Sequence, residues 1–380
     1  MILKNCRYAI LNLEGTFIME NIDIRILEGR IAEIGKDIVR EQGEPLIDCS
    51  KMVAVPGMVD AHTHLFTYNY RGMFLDCDWL KLWSMLLENP VSSFNMEVLE
   101  KFLVKNGLTA LLTLDPNPEN LRLRKKSLPI IFKGRYLVKS FREKGFGKEK
   151  FIHVDSLRTF TPEEFSEIVR ENSGSLVSIH IANTRNEVFQ FKREYGDFQV
   201  SYLEKINGLK ENVVLVGVEW ITSREIELIK ASNAKVILTP QCSLLHSPGG
   251  FPPAKEFIKE KIMFALGSCS LTCSSGFLFD ELRELLRFVR SSYWDFKTSV
   301  RELFKTVLHG SSEILGISSE SLSIGRNAYI TLFKAASPNY RLMNSEKVLE
   351  NLVMFSEPED VMYIITPASE FMWLKEEIGE

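Results

Sequence analysis

The chain has 380 residues, of which 45% are hydrophobic and 25% are charged, and its formal net charge is -4. This composition is typical of a globular protein that is large enough for one barrel and a smaller unit. The charge balance provides no basic surface for nucleic acid, and no apolar run reaches the length of a membrane span.

The start of the chain soon turns polar, so it does not resemble a secretory signal. Six cysteines in a chain of 380 residues are too few to indicate a disulfide framework. We therefore expect a protein of the reducing cytoplasm, with no membrane and no nucleic-acid partner.

The first fifty residues predict β-structure. Ile22, Ile24 and Ile26 alternate with polar residues, which is the periodicity of a strand. Glu28-Gly29 predicts a turn into a returning strand. Pro56-Gly57 then marks a break before the first histidines.

From about residue 55 to residue 324, strand-like and helix-like segments alternate. Two helix starts have capping boxes, one formed by Thr161 and Glu164 and the other by Thr222 and Glu225. The strand-like runs are Leu108 to Leu114, Pro129 to Phe132, Phe151 to Val154, Leu176 to Ile181, Val213 to Val218, Val236 to Leu238 and Ile262 to Leu266. Repeated βα units predict a parallel sheet, and their number favours a TIM-type (β/α)8 barrel over an open, doubly wound sheet.

Beyond Gly325 the pattern returns to short strands, predicted at Ala328 to Phe333, Leu352 to Phe355 and Val361 to Thr366. The two ends of the chain are therefore expected to form one small β-sandwich domain, from residues 1–54 and 325–380. The barrel would occupy residues 55–324.

Three histidines are candidate metal ligands. His62 and His64 are two residues apart, so on a strand both side chains lie on the same face. His180 lies near the end of another predicted strand, and the carboxyl ends of barrel strands carry the active sites of such enzymes. Three histidines and an open position suit one divalent transition metal, most simply zinc. Cys269 follows a further strand and is either a fourth, thiolate ligand or a small buried core residue.

Pro56 to Leu65, with the sequence PGMVDAHTHL, resembles the signature PG-[LMI]-[IV]-D-x-HTH-L of the amidohydrolase superfamily. Further segments resemble the branch that contains methylthioadenosine and S-adenosylhomocysteine deaminases, guanine deaminases and triazine chlorohydrolases. These segments are Tyr70-Arg71-Gly72, Trp79-Leu80 followed by Glu88, His180-Ile181-Ala182-Asn183-Thr184, Trp220 to Ile226 and Ala265 to Cys269. The resemblance covers nearly the whole chain and also implies a barrel with a split small domain.

The resemblance assigns roles to residues of this chain. It implies metal ligation by His62, His64 and His180, with Cys269 at the position where the family has an aspartate. Glu88 matches a glutamate that contacts substrate, and the substrate-binding histidine of the family falls on His153 or Asp155. Three positions depart from the pattern: Cys269 replaces the aspartate, Asn183 replaces a proton-shuttling glutamate, and Gly217 replaces a histidine that helps to activate water.

The departures at Asn183 and Gly217 leave two hypotheses open. Neither residue can transfer a proton, and the loss of one acid–base group lowers a rate by about 10²–10⁴. In the first hypothesis, the protein hydrolyses a non-peptide C–N bond of a small heterocycle by altered chemistry. Glu219 would then replace the missing base, and Glu187 is a second acid that we expect on a solvated helix face.

In the second hypothesis, the protein is inactive and binds a heterocycle or a homologous partner in a regulatory role. The resemblance also implies a possible homodimer.

Overall fold

The computed structural model describes residues 1–11, 18–88, 95–116, 130–137, 149–341 and 345–368. Its N-terminal part contains five strands: β1 (Ile2–Ile10), β2 (Ile18–Leu27), β3 (Arg30–Gly35), β4 (Leu46–Asp48) and β5 (Met52–Pro56). The predicted alternation of isoleucines falls within β2, and β2 pairs antiparallel with β3 through the predicted turn at Glu28 and Gly29.

The central part contains nine strands of a second sheet. They are β6 (Met58–His64), β7 (Leu108–Asp115), β8 (Ile130–Leu137), β9 (Phe151–Val154), β10 (Leu176–Ile181), β11 (Val213–Gly217), β12 (Lys235–Leu238), β13 (Phe264–Leu266) and β14 (Cys269–Ser270). The strand prediction is confirmed for β7 to β13 with small shifts at the ends, whereas β14 was not predicted. Pro129 lies outside the described residues, and β8 extends further than predicted.

Ten helices accompany these strands in the described part of the chain. They are α1 (Trp79–Glu88), α2 (Met96–Lys105), α3 (Pro162–Glu171), α4 (Arg185–Tyr195), α5 (Gln199–Lys205), α6 (Ser223–Ser232), α7 (Pro240–His246), α8 (Ala254–Glu260), α9 (Leu278–Tyr293) and α10 (Val300–Leu315). Both predicted capping boxes are present, at the starts of α3 and α6. Each box joins the cap hydroxyl and a glutamate to two backbone amides that would otherwise lack a partner.

The nine central strands form one curled parallel sheet, in the order β13-β12-β11-β10-β9-β8-β7-β6-β14. Its two edge strands are neighbours in sequence, because only Gly267 and Ser268 separate β13 from β14. β13 pairs with β12, and β14 pairs with β6. The two edges of the sheet therefore meet, which is consistent with the predicted TIM-type barrel and places every strand's carboxyl end at one rim.

The C-terminal part adds β15 (Ile330–Lys334), β16 (Ala336–Ser337), β17 (Tyr340–Arg341), α11 (Val348–Phe355) and β18 (Val361–Ile365). The predicted strand at Leu352 to Phe355 is wrong, because these residues lie in α11. The buried positions of α11 are Val348, Leu349, Leu352 and Val353. This spacing is that of a helix. The four apolar residues from Leu352 to Phe355 are too few to show it without the preceding turn.

Both ends of the chain contribute to a seven-stranded sheet, in the order β18-β15-β5-β1-β2-β3, with β4 paired to β1. Side chains of β5 alternate between two cores. Val53 and Val55 pack into the main core, which includes helix residues of the barrel, while Ala54 packs into a smaller core with Ile22 and Ile330. The sheet confirms that the two chain ends pair, whereas its assignment as a β-sandwich domain stays a prediction.

The barrel interior is filled by small and branched side chains from several strands, among them Ala61, Leu112, Val216 and Ala265. This packing closes the barrel below the rim and leaves the carboxyl ends of the strands as the place for a site. Every helix in the described part of the chain is too short or too polar to cross a lipid bilayer.

Candidate metal centre

Strand β6 carries the two histidines of the signature at its carboxyl end, and all seven of its residues are buried. Asp60, on the same strand, accepts hydrogen bonds from the backbone amide of His62 (3.1 Å) and from Ser268 Oγ (2.6 Å). Burial raises the pKa of Asp60 to about 7. Asp60 therefore joins the histidine strand to the segment that leads directly into Cys269.

The four predicted ligands converge at the rim. His62 Nε2 lies 3.0 Å from His64 Nε2 and 3.2 Å from His180 Nε2, and Cys269 Sγ lies 3.5 Å from His180 Nε2. All four ligand atoms lie within 4.8 Å of one another. A tetrahedral zinc ion with ordinary bond lengths separates two nitrogens by about 3.3 Å, and a nitrogen from a sulfur by about 3.6 Å. The four side chains therefore fit a divalent transition metal.

Protonation of the histidines also favours a metal. Nδ1 of His64 donates to the carbonyl oxygen of Leu114, so the Nε2 of this imidazole keeps its lone pair for the centre. Burial lowers the pKa of His64 to about 3. Burial and the neighbouring imidazoles lower the pKa of His62 and His180 well below the usual value. All three histidines are consequently neutral at pH 7, the form that binds metals.

Helix α1 covers this centre with two indole rings. The ring centroids of Trp79 and Trp83 each lie 5.1 Å from that of His180, and the ring of Trp83 lies 4.6 Å from that of His64. Both tryptophans are buried. Glu88, the predicted substrate contact, lies at the exposed end of the same helix, and its role stays a prediction.

Asn183 and Glu219 fill the space beside Gly217. A Cβ atom added to Gly217 would lie 1.9 Å from Asn183 Nδ2 and 2.8 Å from Glu219 Oε2, at a backbone φ of +98°. A histidine at this position, as in the related pattern, would therefore clash with both side chains. Asn183, Gly217 and Glu219 are thus sterically matched to one another.

Glu219 is a buried carboxyl group between two donors. Asn183 Nδ2 donates to its Oε2 at 3.2 Å, and the hydroxyl of Ser243 donates to its Oε1. Burial raises the pKa of Glu219 to about 8. A carboxyl group with such a pKa holds a proton at neutral pH and can release it to a base.

The expected position of Glu187 on a solvated helix face is wrong. This carboxylate is buried and completes a capping box with Thr184 at the start of α4. It also accepts a hydrogen bond from the backbone amide of Asn183 (3.1 Å) and one from Gln199 Nε2 (2.9 Å). Glu187 therefore fixes the segment that presents Asn183, because its Oε2 accepts from the backbone amides of Asn183 and Thr184.

The two candidates for the family's substrate-binding position, His153 and Asp155, lie in different surroundings. His153 packs edge-on against His180, with ring centroids 4.4 Å apart, and its Nδ1 lies 2.9 Å from Ser178 Oγ. Its Nε2 is buried and has no hydrogen-bond partner among the described residues. Asp155 instead accepts hydrogen bonds from three hydroxyl groups, on Tyr136, Ser156 and Thr159. His153 thus has a free nitrogen beside the centre.

Several residues of the site were not assigned a role from the sequence. Ser243 lies in α7 just after β12, and Tyr136, which stacks on His153, lies at the carboxyl end of β8. Both follow the general rule that rim residues lie at strand ends, which was the available signal. The covering role of Trp83 depends on how α1 packs, which no local pattern specifies.

The sequence profile of the Amidohydrolase family matches residues 152–364. A 5'-deoxyadenosine deaminase of Methanothrix thermoacetophila is 27% identical over 293 residues, covering 70% of this chain and 70% of its own. A 5-methylthioadenosine/S-adenosylhomocysteine deaminase of Aquifex aeolicus is 24% identical over 362 residues, covering 84% of this chain and 81% of its own.

Solved structures show the same fold. An adenosine deaminase from Xanthomonas campestris with bound zinc superimposes with a TM-score of 0.80 at 15% identity, covering 97% of this chain and 92% of its own. An atrazine chlorohydrolase from Arthrobacter aurescens in complex with zinc gives a TM-score of 0.75 at 18% identity, covering 97% and 94%. With the profile matching more than half of its length, this chain belongs to the amidohydrolase family.

Proposed function

We propose that the protein is a zinc-dependent hydrolase that cleaves a C–N bond, or a comparable bond to a leaving group, on a small heterocycle. The observation that carries this proposal is the convergence of His62, His64, His180 and Cys269 at the rim of an amidohydrolase barrel. The relatives named as deaminases of 5'-deoxyadenosine and methylthioadenosine, and the structural neighbour named as a chlorohydrolase, support this class of reaction.

The residues around the centre have complementary roles in this proposal. A divalent metal held by the four side chains supplies Lewis acidity, which lowers the pKa of water. Glu219 holds a proton at neutral pH and delivers it to the departing group, which the usual glutamate at residue 183 would otherwise do. Asn183 Oδ1 is buried without a hydrogen-bond partner among the described residues, so it can accept a hydrogen bond from a substrate amino group. The free Nε2 of His153 can accept another.

A depression beside α1 is large enough for a nucleoside-sized ligand. It encloses about 570 Å³ and is lined by Asp78, Thr184, Arg185, Asn186, Phe189, Arg193 and Pro248. Asp78 directly precedes Trp79, and Thr184 directly follows Asn183. A depression of this size is typical of small-molecule sites, and its position supports substrate entry along the edge of α1.

A second candidate function is binding without turnover. It is favoured by the cover over the centre: the four donors and both tryptophans are almost fully buried. Four protein ligands without an open position are typical of structural zinc sites. In this alternative the protein binds a heterocycle or a homologous chain in a regulatory role. The homodimer and the cytoplasmic location likewise stay predictions.

The decisive experiment measures ammonia release by the zinc-loaded protein from 5'-deoxyadenosine, methylthioadenosine, adenosine and guanine, with chloride release from atrazine alongside. We expect turnover of at least one compound. Glu219→Gln should lower that rate by at least about 10²-fold, because the amide cannot deliver the proton. Glu281→Gln is the matched control, since Glu281 is also buried with a pKa of about 8 but hydrogen-bonds to Ser274 instead.

The outcomes separate the two functions. Turnover that is lost in the Glu219 variant and retained in the Glu281 variant supports the hydrolase. Stoichiometric zinc binding without product from any compound contradicts the hydrolase and supports binding without turnover. Equal rates in both variants would remove Glu219 from the mechanism.

A further inference from the structure

Two thiol groups outside the proposed metal ligands lie in contact behind the candidate centre. Cys242 Sγ, on α7, lies 2.9 Å from Cys273 Sγ, three residues beyond β14. Covalently bonded sulfurs lie about 2.05 Å apart, so an approach of roughly 0.9 Å would bring the two atoms to bonding distance.

The surrounding backbone holds both sulfurs in this position. Each thiol hydrogen-bonds to the carbonyl oxygen of Ser270, at 3.6 Å from Cys242 and 3.4 Å from Cys273. Cys242 also lies 3.5 Å from the carbonyl oxygen of Ser268. The two thiols lie on different segments of the chain and hydrogen-bond to the same carbonyl oxygen. The fold therefore keeps them in contact.

The two cysteines differ in access to solvent. Cys242 is fully buried, whereas Cys273 is partly exposed. His246 lies beside Cys273, and its Nδ1 donates to the carbonyl oxygen of Cys77 at 2.7 Å, which fixes the orientation of the imidazole. The hydrogen bond with Cys242 and burial raise the pKa of the Cys273 thiol, and the neighbouring His246 opposes this shift. The arrangement therefore provides a partly exposed thiol, an imidazole that favours its thiolate form, and a second thiol behind it.

We propose that Cys273 and Cys242 are a redox-active pair that forms a reversible intramolecular disulfide with a peroxide as the oxidant. The Cys273 sulfur attacks one peroxide oxygen, which gives a sulfenic acid and releases one water. The Cys242 sulfur then attacks the sulfenic sulfur, forms the S–S bond and releases a second water. Overall, two thiols are oxidised and one hydrogen peroxide is reduced to two waters, and a small thiol reverses the bond by exchange.

The pair adjoins the candidate metal centre. Cys242 interacts with the side chain of Cys269 as well as with Cys273. Oxidation of Cys242 therefore removes its thiol proton and, with it, the hydrogen bond between Cys242 and the predicted thiolate ligand Cys269. The pair itself requires neither a bound metal nor turnover, so its test is independent of the proposed function.

The test treats the reduced full-length protein with an equimolar amount of hydrogen peroxide and maps its peptides by mass spectrometry without reduction. We expect a cross-linked peptide that joins Cys242 to Cys273, a mass loss of about 2 Da, and its reversal by a thiol reductant. Cys6 and Cys49, a fully buried pair that also interacts, are the internal comparison and should stay reduced.

Two variants complete the experiment. Cys273→Ser should leave Cys242 reduced at the same peroxide dose, because the accessible partner is absent. Cys242→Ser should allow Cys273 to reach the sulfenic acid, which a dimedone adduct detects, without the cross-link. The proposal is overturned if the unaltered chain keeps both thiols while Cys77 is oxidised, or if Cys273 cross-links to Cys77.

Discussion

Cys269 is the residue on which the metal chemistry of the site depends most. The resemblance to the family assigns it the position of an aspartate, and its sulfur lies 3.5 Å from His180 Nε2. Burial raises the pKa of its thiol, so without a metal this side chain holds a proton. A bound zinc ion reverses that preference, because a coordinated thiol is deprotonated.

We predict that Cys269→Ser weakens zinc binding by more than about tenfold, since a hydroxyl is a poorer ligand than a thiolate. Competition with a chromophoric chelator measures the affinity. Cys49→Ser is the control, because Cys49 is also fully buried but belongs to the smaller core. Unchanged affinity in the Cys269 variant would make this residue part of the core rather than a ligand.

The sequence was sufficient to predict that the three histidines lie close together, because a motif on one strand and a strand-end histidine determine which face each occupies. It was insufficient for the acid–base groups. Glu219 was a hypothesis from its spacing, and its contact with Asn183 depends on the positive φ of Gly217 and Val218. The expectation for Glu187 was wrong because its side chain turns back to cap the start of α4 with Thr184, which buries the carboxyl group.

At the scale of elements, the strands of the barrel were predictable because each is a short buried run, and three of the helices between them begin with a capping box. Leu352 to Phe355 was not, because a run of four apolar residues suits either a strand or one turn of a helix. Its helical state is supported by tertiary contacts: Arg283 of α9 donates to the carbonyl oxygens of Val353 and Ser356.

Helix α10 packs unusually close to the barrel at Gly310. A Cβ atom at this position would lie 2.3 Å from the carbonyl carbon and oxygen of Phe264 in β13. A glycine inside a helix costs about 1 kcal/mol relative to alanine. The close approach of helix and strand explains why the residue is nevertheless glycine.

We predict that Gly310→Ala lowers the free energy of unfolding by about 1–3 kcal/mol, because the overlap outweighs the gain in helix propensity. Denaturant unfolding of the purified variant measures this change. Gly174→Ala is the control, since nothing lies within 4 Å of a Cβ atom there. A Gly310 variant as stable as the unaltered protein would show that α10 can shift without cost.

At the scale of the whole molecule, the buried carboxyl groups and the buried histidines change the stability in opposite directions as the pH rises. The buried carboxyl groups of Glu219 and Glu281 have raised pKa values of about 8. Their contribution to stability is complete below pH 4.5, where the unfolded chain also keeps these protons. It is lost as the pH rises towards 8. The buried histidines act in the opposite direction, because their pKa values are lowered and protonation favours the unfolded chain.

We therefore predict how the difference in free energy of unfolding between a variant and the unaltered protein changes with pH. Glu281→Gln removes one raised carboxyl group, so its stability relative to the unaltered protein should increase by about 1.4 kcal/mol per pH unit between roughly pH 5 and 8. Urea unfolding at several pH values measures this difference. A constant difference across the range would mean that Glu281 is ionised in the folded protein.

The overall architecture was predictable from the periodicity of the sequence and from a resemblance to the family that covers nearly the whole chain. The sheet of the two ends is nevertheless arranged by long-range pairing, since β5 lies between β1 and β15. No local pattern specifies that order.

The cover formed by α1 also affects how a metal ion at this centre would exchange with solvent. Trp79 and Trp83 pack over donors that are themselves almost fully buried. A metal ion bound to those donors would therefore exchange with solvent only if this helix moved away from them. Two preparations of identical sequence, made in media with different metals, would then differ in metal content after purification.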